Sequence, residues 1–300
     1  METDLLKTFT TVAQARSFSK AATSLYSTQS TVSRQVARLE EMLDARLFVR
    51  YGRHVELTVA GEVLLPLATA IVTRTEDAIG ILREQAGGGP STVHFGAVPM
   101  VMAHILIPML APFIAAYPGV TIDLMEKDDA QLEEAVISGE LDCGVMTPWG
   151  SSRVSTYHLM TEELLLIVPS EHPLAARPAA PFKMLATETI LLPRATLHVS
   201  NIIVEAFRRR GLAPKFSSRC NYPELNKELV RKGLGLAPMP MTLCSPASLE
   251  GLAAIPFDEP LTRDLHLICA QDRPLSTAAR ALVAYIRTHM PKQRLFDGRP

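Results

Sequence analysis

The chain has 300 residues, of which 47% are hydrophobic and 20% charged, and its formal net charge is −1. These values are typical of a globular chain of about two domains, and the near-neutral charge argues against wholesale coating of a nucleic acid. No apolar run approaches the length of a membrane span and the N-terminus lacks a signal-peptide pattern, so we expect a cytoplasmic protein with no membrane partner.

The first 58 residues predict a winged helix-turn-helix. Apolar residues recur at helical spacing in the first segment, and Ser17 and Thr28 are suitable caps for the two helices that follow. A short polar connection, a helix and an alternating pair of strands then complete the motif. The predicted elements are helices over 4–15, 18–25 and 29–43 and wing strands over 46–50 and 54–57.

The third helix has two different faces. We expect its apolar stripe to be buried, and this stripe consists of Val32, Val36, Leu39 and Leu43. The opposite face carries short hydrogen-bonding side chains and guanidinium groups, which fit base edges and phosphates. This polar face consists of Gln29, Ser30, Ser33, Arg34, Ala37 and Arg38. The alternative is that these residues are simply the solvated side of a core helix.

A long helix is predicted from Thr58 to Ala86. Its apolar and small residues alternate at steps of four and three, which is the pattern of a helix that packs on a partner helix. Pairing with a second subunit would place two DNA-binding helices on two half-sites, whereas the alternative is packing against the C-terminal part of the same chain. Pro66 should bend the helix. The seam consists of Leu64, Ala68, Ile71, Thr75, Ala78 and Leu82.

Three glycines and a proline at 87–90 end this helix and predict a hinge over 87–91. Beyond it, strands and helices alternate, which predicts a mostly parallel sheet covered by helices. The predicted domains are therefore a DNA-binding domain over 1–58, a linker helix over 59–86, the hinge, and an α/β domain over 92–300. The predicted strands are 93–98, 120–125, 141–146, 164–168, 189–192, 215–219 and 265–270, and the predicted helices are 103–117, 130–138, 201–210, 223–232 and 277–289.

Six segments carry a family resemblance: FTTVAQARSFSKAATSL, TQSTVSRQVARLEEMLDARLFVR, VELTVAGE, YPGV, SGELDCGV and LVRKGLGLAPMP. Their residue types and spacing resemble the LysR-type transcriptional regulators over the whole chain. The chain departs from the usual pattern at Ser30, where many members have proline, and at Asp44, where they usually have glycine. Asp44 must therefore end its helix without the freedom of glycine at positive φ.

The resemblance implies a fold, a function and partners. The fold is an N-terminal, mainly-α winged helix-turn-helix, a long linker helix and a two-lobed α/β effector domain like a periplasmic binding protein. Lobe I would comprise 92–161 and 267–300, and lobe II 162–266. The implied function is sequence-specific regulation of transcription, controlled by a small-molecule effector between the lobes. The implied partners are double-stranded promoter DNA, the effector and further copies of the chain, as a homodimer and then a homotetramer; a contact with RNA polymerase is also allowed. No cofactor and no metal are expected.

The resemblance also assigns DNA-contacting residues. It places Gln29, Ser30, Ser33 and Arg34 in the major groove, and Arg53 at the wing tip near a phosphate or the minor groove. The chemistry agrees, because glutamine can bond adenine twice and arginine can do the same to guanine. Arg38 completes the set of candidates.

An effector pocket is expected beyond the carboxyl ends of the strands, where ligands of open α/β sheets bind. Met100 lacks the hydroxyl that many acid-binding members carry nearby, which puts a carboxylate held in the commonest way in doubt. Trp149 and Tyr222 could supply aromatic walls, although Met100 and Trp149 could also be core residues and Arg194 solvated surface. The candidate residues are Pro99, Met100, Val101, Asp128, Thr147, Trp149, Arg194, Thr196, Ser200, Asn221 and Tyr222.

The sequence also allows a comparison with two other classes of protein, an enzyme and a solute-binding protein. The chain has no GxSxG, P-loop, GxGxxG or HExxH motif, so we do not expect an enzyme. A solute-binding protein would share the second domain but lack the attached helix-turn-helix. A redox switch at Cys220 or Cys244 is a further alternative for the control step, whereas Cys143 and Cys269 lie in predicted strands and are interpreted as small buried hydrophobes. The four cysteines contain no CxxC pair and predict neither a disulfide framework nor a zinc site.

Overall fold

The computed structural model of the chain describes residues 3–51, 54–85, 91–148, 152–194, 196–218 and 221–294. The predicted hinge falls outside these residues except for Ser91, which is the first residue of a strand and not part of a linker.

The N-terminal part contains the predicted helix-turn-helix and wing. Ser17 and Thr28 cap the second and third helices, and their side chains accept hydrogen bonds from the backbone N–H groups of Lys20 and Thr31. The expectation that Leu43 is buried is wrong, because the side chain lies in the last turn of its helix and is 38% exposed. The elements are α1 Thr3–Ala15, α2 Phe18–Ser24, α3 Gln29–Leu43, β1 Phe48–Tyr51 and β2 His54–Leu57.

Asp44 ends α3 in the left-handed conformation, with φ 50 and ψ 37. Any residue with a Cβ is strained in this region, because the Cβ approaches the following carbonyl group, whereas glycine has none. We expect Asp44→Gly to raise the free energy of unfolding by about 0.5–1 kcal/mol. Glu41→Gly is the control, because Glu41 lies within the same helix at ordinary backbone angles. This substitution should instead lower the free energy of unfolding by about 1 kcal/mol. Urea titration of both variants checks the prediction, which fails if Asp44→Gly also destabilises.

The linker helix α4, Val59–Gln85, corrects the predicted seam. Leu64 and Ala68 do not face a partner molecule, because they pack with Leu6 and Phe9 of α1 in one cluster. This happens because α1 lies directly along the first half of α4. The exposed apolar residues that the structure describes on α4 recur at intervals of four, and they are Val59, Val63, Leu67 and Ile71. Of these, Ile71 belongs to the predicted seam, whereas the side chains of the seam residues Ala78 and Leu82 lie outside those that the structure describes.

The C-terminal part begins with a parallel unit. Strand β3, Ser91–Ala97, lies between β4, Val120–Glu126, and β5, Cys143–Met146, and pairs with both in parallel. Helical segment α5, Pro99–Ala116, and helix α6, Asp129–Ser138, connect these strands.

By length and composition alone, segment α5 is long and apolar enough to cross a membrane, so the expectation that no apolar run approaches this length is wrong. One face packs into the core around the parallel unit through Leu106, Leu110 and Phe113. The other face leaves Ile107 and Ile114 exposed. The helix is thus apolar on both sides, and among the described residues only one side is covered.

Two long antiparallel strands join the two halves of this domain. The first half of β6, Val154–Pro169, pairs with β11, Thr262–Ala270, which also pairs with β5. The second half of β6 pairs with β9, Ala237–Pro240, and β10, Leu252–Pro256. The large sheet is therefore mixed: it is parallel around β3 and mainly antiparallel around β6 and β11. The remaining elements are β7 Thr189–Leu192, α7 His198–Arg209, β8 Lys215–Ser218, α8 Pro223–Arg231, α9 Thr277–His289 and β12 Gln293–Arg294. Of these, β7 and β8 form a separate parallel pair.

Buried side chains separate the domain into two lobes along these strands. One core cluster contains residues between Val93 and Met160 together with residues between Leu265 and Met290. A second cluster contains residues between Leu164 and Phe257. Because β6 and β11 run through both regions, they are the two crossings of the chain between the lobes.

Candidate functional site

The polar face of α3 is open to solvent. Gln29, Ser30, Arg34 and Arg38 are exposed and Ser33 is half-buried, while Val32, Val36 and Leu39 anchor the opposite face in the core.

The position of α3 is fixed by more than apolar packing. The Thr8 hydroxyl of α1 donates a hydrogen bond of 2.9 Å to the Gln35 side chain. At the start of the helix, the hydroxyls of Thr28 and Ser30 lie 2.9 Å apart. The helix therefore presents a fixed row of polar side chains, beginning at its N-terminal turn. Arg53, the predicted wing contact, lies outside the described residues.

A cleft of about 380 Å³ lies between the two lobes. Both lobes contribute to its wall, which includes residues at the carboxyl ends of β3, β4, β5 and β7. The candidate residues that line it are Pro99, Met100, Asp128, Thr147, Arg194, Asn221 and Tyr222.

Three of the other candidates lie elsewhere, and Trp149 is outside the described residues. Val101 does not line the cleft because it is completely buried in the core of the first lobe. Ser200 is also buried, and its hydroxyl donates to the Pro193 carbonyl at 2.8 Å. Thr196 is exposed and is not among the residues that form the wall.

Several residues of the wall were missed from the sequence. The charged ones are Glu126 and Arg263, and the apolar ones include Met239 and Leu243. Glu126 is the last residue of β4, a location that could have identified it. Arg263 gave no such signal, because it lies within a strand.

Asp129 connects the two lobes. Its carboxylate accepts one hydrogen bond from the Thr147 N–H at 3.2 Å and one from the His198 N–H at 2.8 Å. The side chain is only 4% exposed. Burial raises the pKa of Asp129, and the N–H donors of His198 and Thr147 act in the opposite direction. Because Thr147 follows β5 and His198 begins α7, one side chain ties a strand of the first lobe to a helix of the second.

A buried ion pair lies where β6 and β11 cross between the lobes. Glu162 accepts hydrogen bonds from Arg263 Nε at 3.0 Å and Nη2 at 2.7 Å through one oxygen. Its other oxygen accepts the N–H of Thr242 at 2.6 Å. Arg263 reaches the cleft wall, but its charge is already matched by Glu162.

Three of the four cysteines, Cys143, Cys244 and Cys269, lie in the described residues. Burial raises the pKa of Cys244 to about 12, so the thiol is protonated near neutral pH. Cys143 and Cys269 lie directly opposite each other on β5 and β11. Both side chains are buried, as predicted from the sequence. A hydrogen bond between them raises the pKa of Cys143 and lowers that of Cys269. Cys220 lies outside the described residues.

The sequence matches two families along its length. Residues 3–62 match the bacterial regulatory helix-turn-helix proteins of the lysR family, and residues 86–291 match the LysR substrate binding domain. The uncharacterized HTH-type transcriptional regulator YwbI of Bacillus subtilis is 30% identical over 284 residues, which cover 94% of each chain.

Solved structures show the same fold. Full-length OxyR from Pseudomonas aeruginosa superimposes with a TM-score of 0.72 at 21% identity, covering 97% of this chain and 94% of that one. Full-length CbnR, solved in complex with its target DNA, gives a TM-score of 0.69 at 20% identity and covers 96% of this chain and 100% of that one. Both the N-terminal helix-turn-helix and the two-lobed α/β domain are thus accounted for, and the chain belongs to the LysR family of bacterial DNA-binding transcriptional regulators with an effector-binding domain.

Proposed function

We propose that α3 reads promoter DNA and that a small molecule bound in the inter-lobe cleft controls the outcome. The observation that carries this proposal is the presence, in one chain, of an exposed polar helix face and a cleft walled by two lobes. The proposed domain limits remain 1–58, 59–86, 87–91 and 92–300, and the family matches over 3–62 and 86–291 support them.

The proposed DNA contacts are Gln29, Ser30, Ser33, Arg34 and Arg38, with Arg53 on the wing. Arginine suits this position because its planar guanidinium can donate two hydrogen bonds to one guanine. Serine and glutamine add hydrogen bonds to phosphate or adenine.

Arg34→Ala tests the DNA-reading role. We expect specific binding to the target promoter to weaken by about 1–3 kcal/mol, since a good arginine contact to a base has this value. Arg208→Ala is the matched control, because it removes one exposed arginine from α7 of the effector domain. Fluorescence anisotropy with promoter DNA and with a scrambled duplex measures both variants. Promoter binding by Arg34→Ala that is as tight as that of the parent would show that α3 is not the reading element.

Self-association is proposed through the exposed apolar stripe of α4. Val59, Val63, Leu67 and Ile71 lie four residues apart, so they share one side of the helix. Pairing two such helices would bury this stripe and hold two copies of α3 at a fixed spacing. The exposed Ile107 and Ile114 of α5 provide a second apolar face, through which dimers would form a homotetramer.

Effector control would act through the two strands that cross between the lobes. The lobes are joined by β6 and β11, so a change in the angle between lobes bends these two strands. A ligand that binds one arrangement of the lobes more tightly shifts the population toward it, and the subunit angle and the DNA bend would change with it. The protonated Cys244 gives no support to a redox switch in place of a ligand.

The remaining assignments rest on the family. The curated relatives are described as regulators, and we infer that this chain regulates and does not catalyse a reaction. We place it in the cytoplasm because its DNA target is there. RNA polymerase is a proposed partner at the promoter.

A further inference from the structure

The cleft has its own carboxylate where a ligand's carboxylate would be expected. In α/β domains, anions bind to N–H groups at the carboxyl ends of strands and at helix N-termini. Here the N–H of Thr147 follows β5 and the N–H of His198 begins α7. Both donate to Asp129, so these two donors are already occupied.

At two other helix starts around the cleft, proline removes the first of the N–H donors that an anion would use. Pro99 is the first residue of α5 and Pro223 the first residue of α8, and proline has no N–H group. At the start of α6, the N–H of Asp128 donates to the Gln131 side chain at 3.2 Å.

The charges in the cleft wall also disfavour an anion. The wall contains three carboxyl groups, those of Glu126, Asp128 and Asp129, and two arginines. Arg263 is paired with Glu162, which leaves the exposed Arg194 as the remaining arginine of the described wall. The rest of the wall is largely apolar and includes Pro99, Met100, Leu197, Pro238, Met239 and Leu243.

We propose that Asp129 fills the anion position of the cleft, so that the effector is an apolar molecule with an uncharged or cationic polar end, such as an amine, and not a small carboxylate. This inference rests on the proposed function, because it names the class of effector for the same cleft. An ammonium or hydroxyl group would bind at the Glu126 and Asp128 edge, while the hydrocarbon part would contact the prolines, Met100 and Met239.

The first test removes the Asp129 carboxylate from the proposed anion position. Asp129→Ala in the full chain leaves the N–H groups of Thr147 and His198 without their acceptor, and acetate should replace it. We expect sodium acetate to raise the Tm of this variant above its value in sodium chloride at equal ionic strength. The parent and Asp123→Ala, which removes an exposed carboxyl group on β4, should show no such difference.

Two results of this test would overturn the inference. One is an absence of acetate stabilisation in Asp129→Ala, and the other is an equal stabilisation of the parent. If Asp129→Ala does not fold in chloride, recovery of folded protein upon refolding in acetate gives the same comparison.

The second test uses the unmodified full chain and matched probes. Phenethylamine, phenethyl alcohol and hydrocinnamate share one hydrocarbon part, as do hexylamine, hexanol and heptanoate. We expect the amines or alcohols to raise the Tm. The carboxylates should need at least about tenfold higher concentration to produce the same rise. Glu126→Gln combined with Asp128→Asn should weaken the amines selectively. Carboxylates that bind more tightly would overturn the inference alone, whereas no shift with any probe would overturn both it and the proposed effector function.

Discussion

Replacing Glu162 with alanine should lower the free energy of unfolding by about 3–5 kcal/mol, because it leaves a buried charge without its partner. Glu162 is completely buried and Arg263 is 7% exposed. The substitution removes both hydrogen bonds from Arg263 and also the acceptor of the Thr242 N–H. Since the pair lies on the two crossing strands, we also expect the inter-lobe cleft to lose its fixed shape.

The control is an ion pair of the same chemistry on the surface. Glu205 accepts from Arg208 Nε at 2.6 Å and from Arg209 Nε at 2.9 Å, and the hydrogen bonds from Arg208 and Arg209 lower its pKa to about 2. Solvent screens this exposed cluster, so Glu205→Ala should change stability little. Urea unfolding of both variants compares them directly, and similar losses in the two would contradict the argument from burial.

A double replacement separates the effect of a broken pair from the value of the pair itself. Glu162→Leu together with Arg263→Met removes both charges and fills a similar volume with apolar atoms. Such replacements of buried pairs are often neutral or stabilising. We therefore expect the double variant to recover most of the stability that Glu162→Ala loses.

Elements with local signals were predicted closely from the sequence. The predicted helix 277–289 coincides with α9, whose cap Ser276 accepts the N–H of Ala279. The predicted strand 189–192 coincides with β7. In both cases a short stretch of residues determines where the element begins and ends, so no distant contact has to be known.

Elements that depend on distant contacts were missed. Strand β9 has the sequence APMP, and its two prolines argue against a strand until β6 is known to lie beside it. The long β6 was predicted only over its second half, because its first half is fixed by β11, which lies about a hundred residues away.

The same reason limits prediction of the site. Seven of the cleft candidates follow from strand ends and helix starts, which are local features. The bond between His198 and Asp129 spans 69 residues, and that between Arg263 and Glu162 spans 101. No spacing rule within the sequence connects such residues, and only the folded lobes bring them together.

Asp129→Ala should lower the free energy of unfolding by about 2–4 kcal/mol, since each buried N–H that loses its partner costs about 1–3 kcal/mol. The expected loss is below the full sum because the substitution also removes a carboxyl group whose ionised form is disfavoured by burial. Glu126→Ala is the control, because it removes an exposed carboxyl group from the same cleft and should cost little.

Amide hydrogen exchange distinguishes an inter-lobe contact from a general loss of stability. In Asp129→Ala the amides of Thr147 and His198 should exchange faster than those of the β3 core, because the bond that joins the lobes is gone. Asp129→Asn should give a smaller change, since its amide oxygen can still accept from one of the two N–H groups. Unchanged exchange at both amides in Asp129→Ala would mean that Asp129 does not hold the lobes together, and the arrangement of the lobes would then depend on other contacts, such as those of β6 and β11.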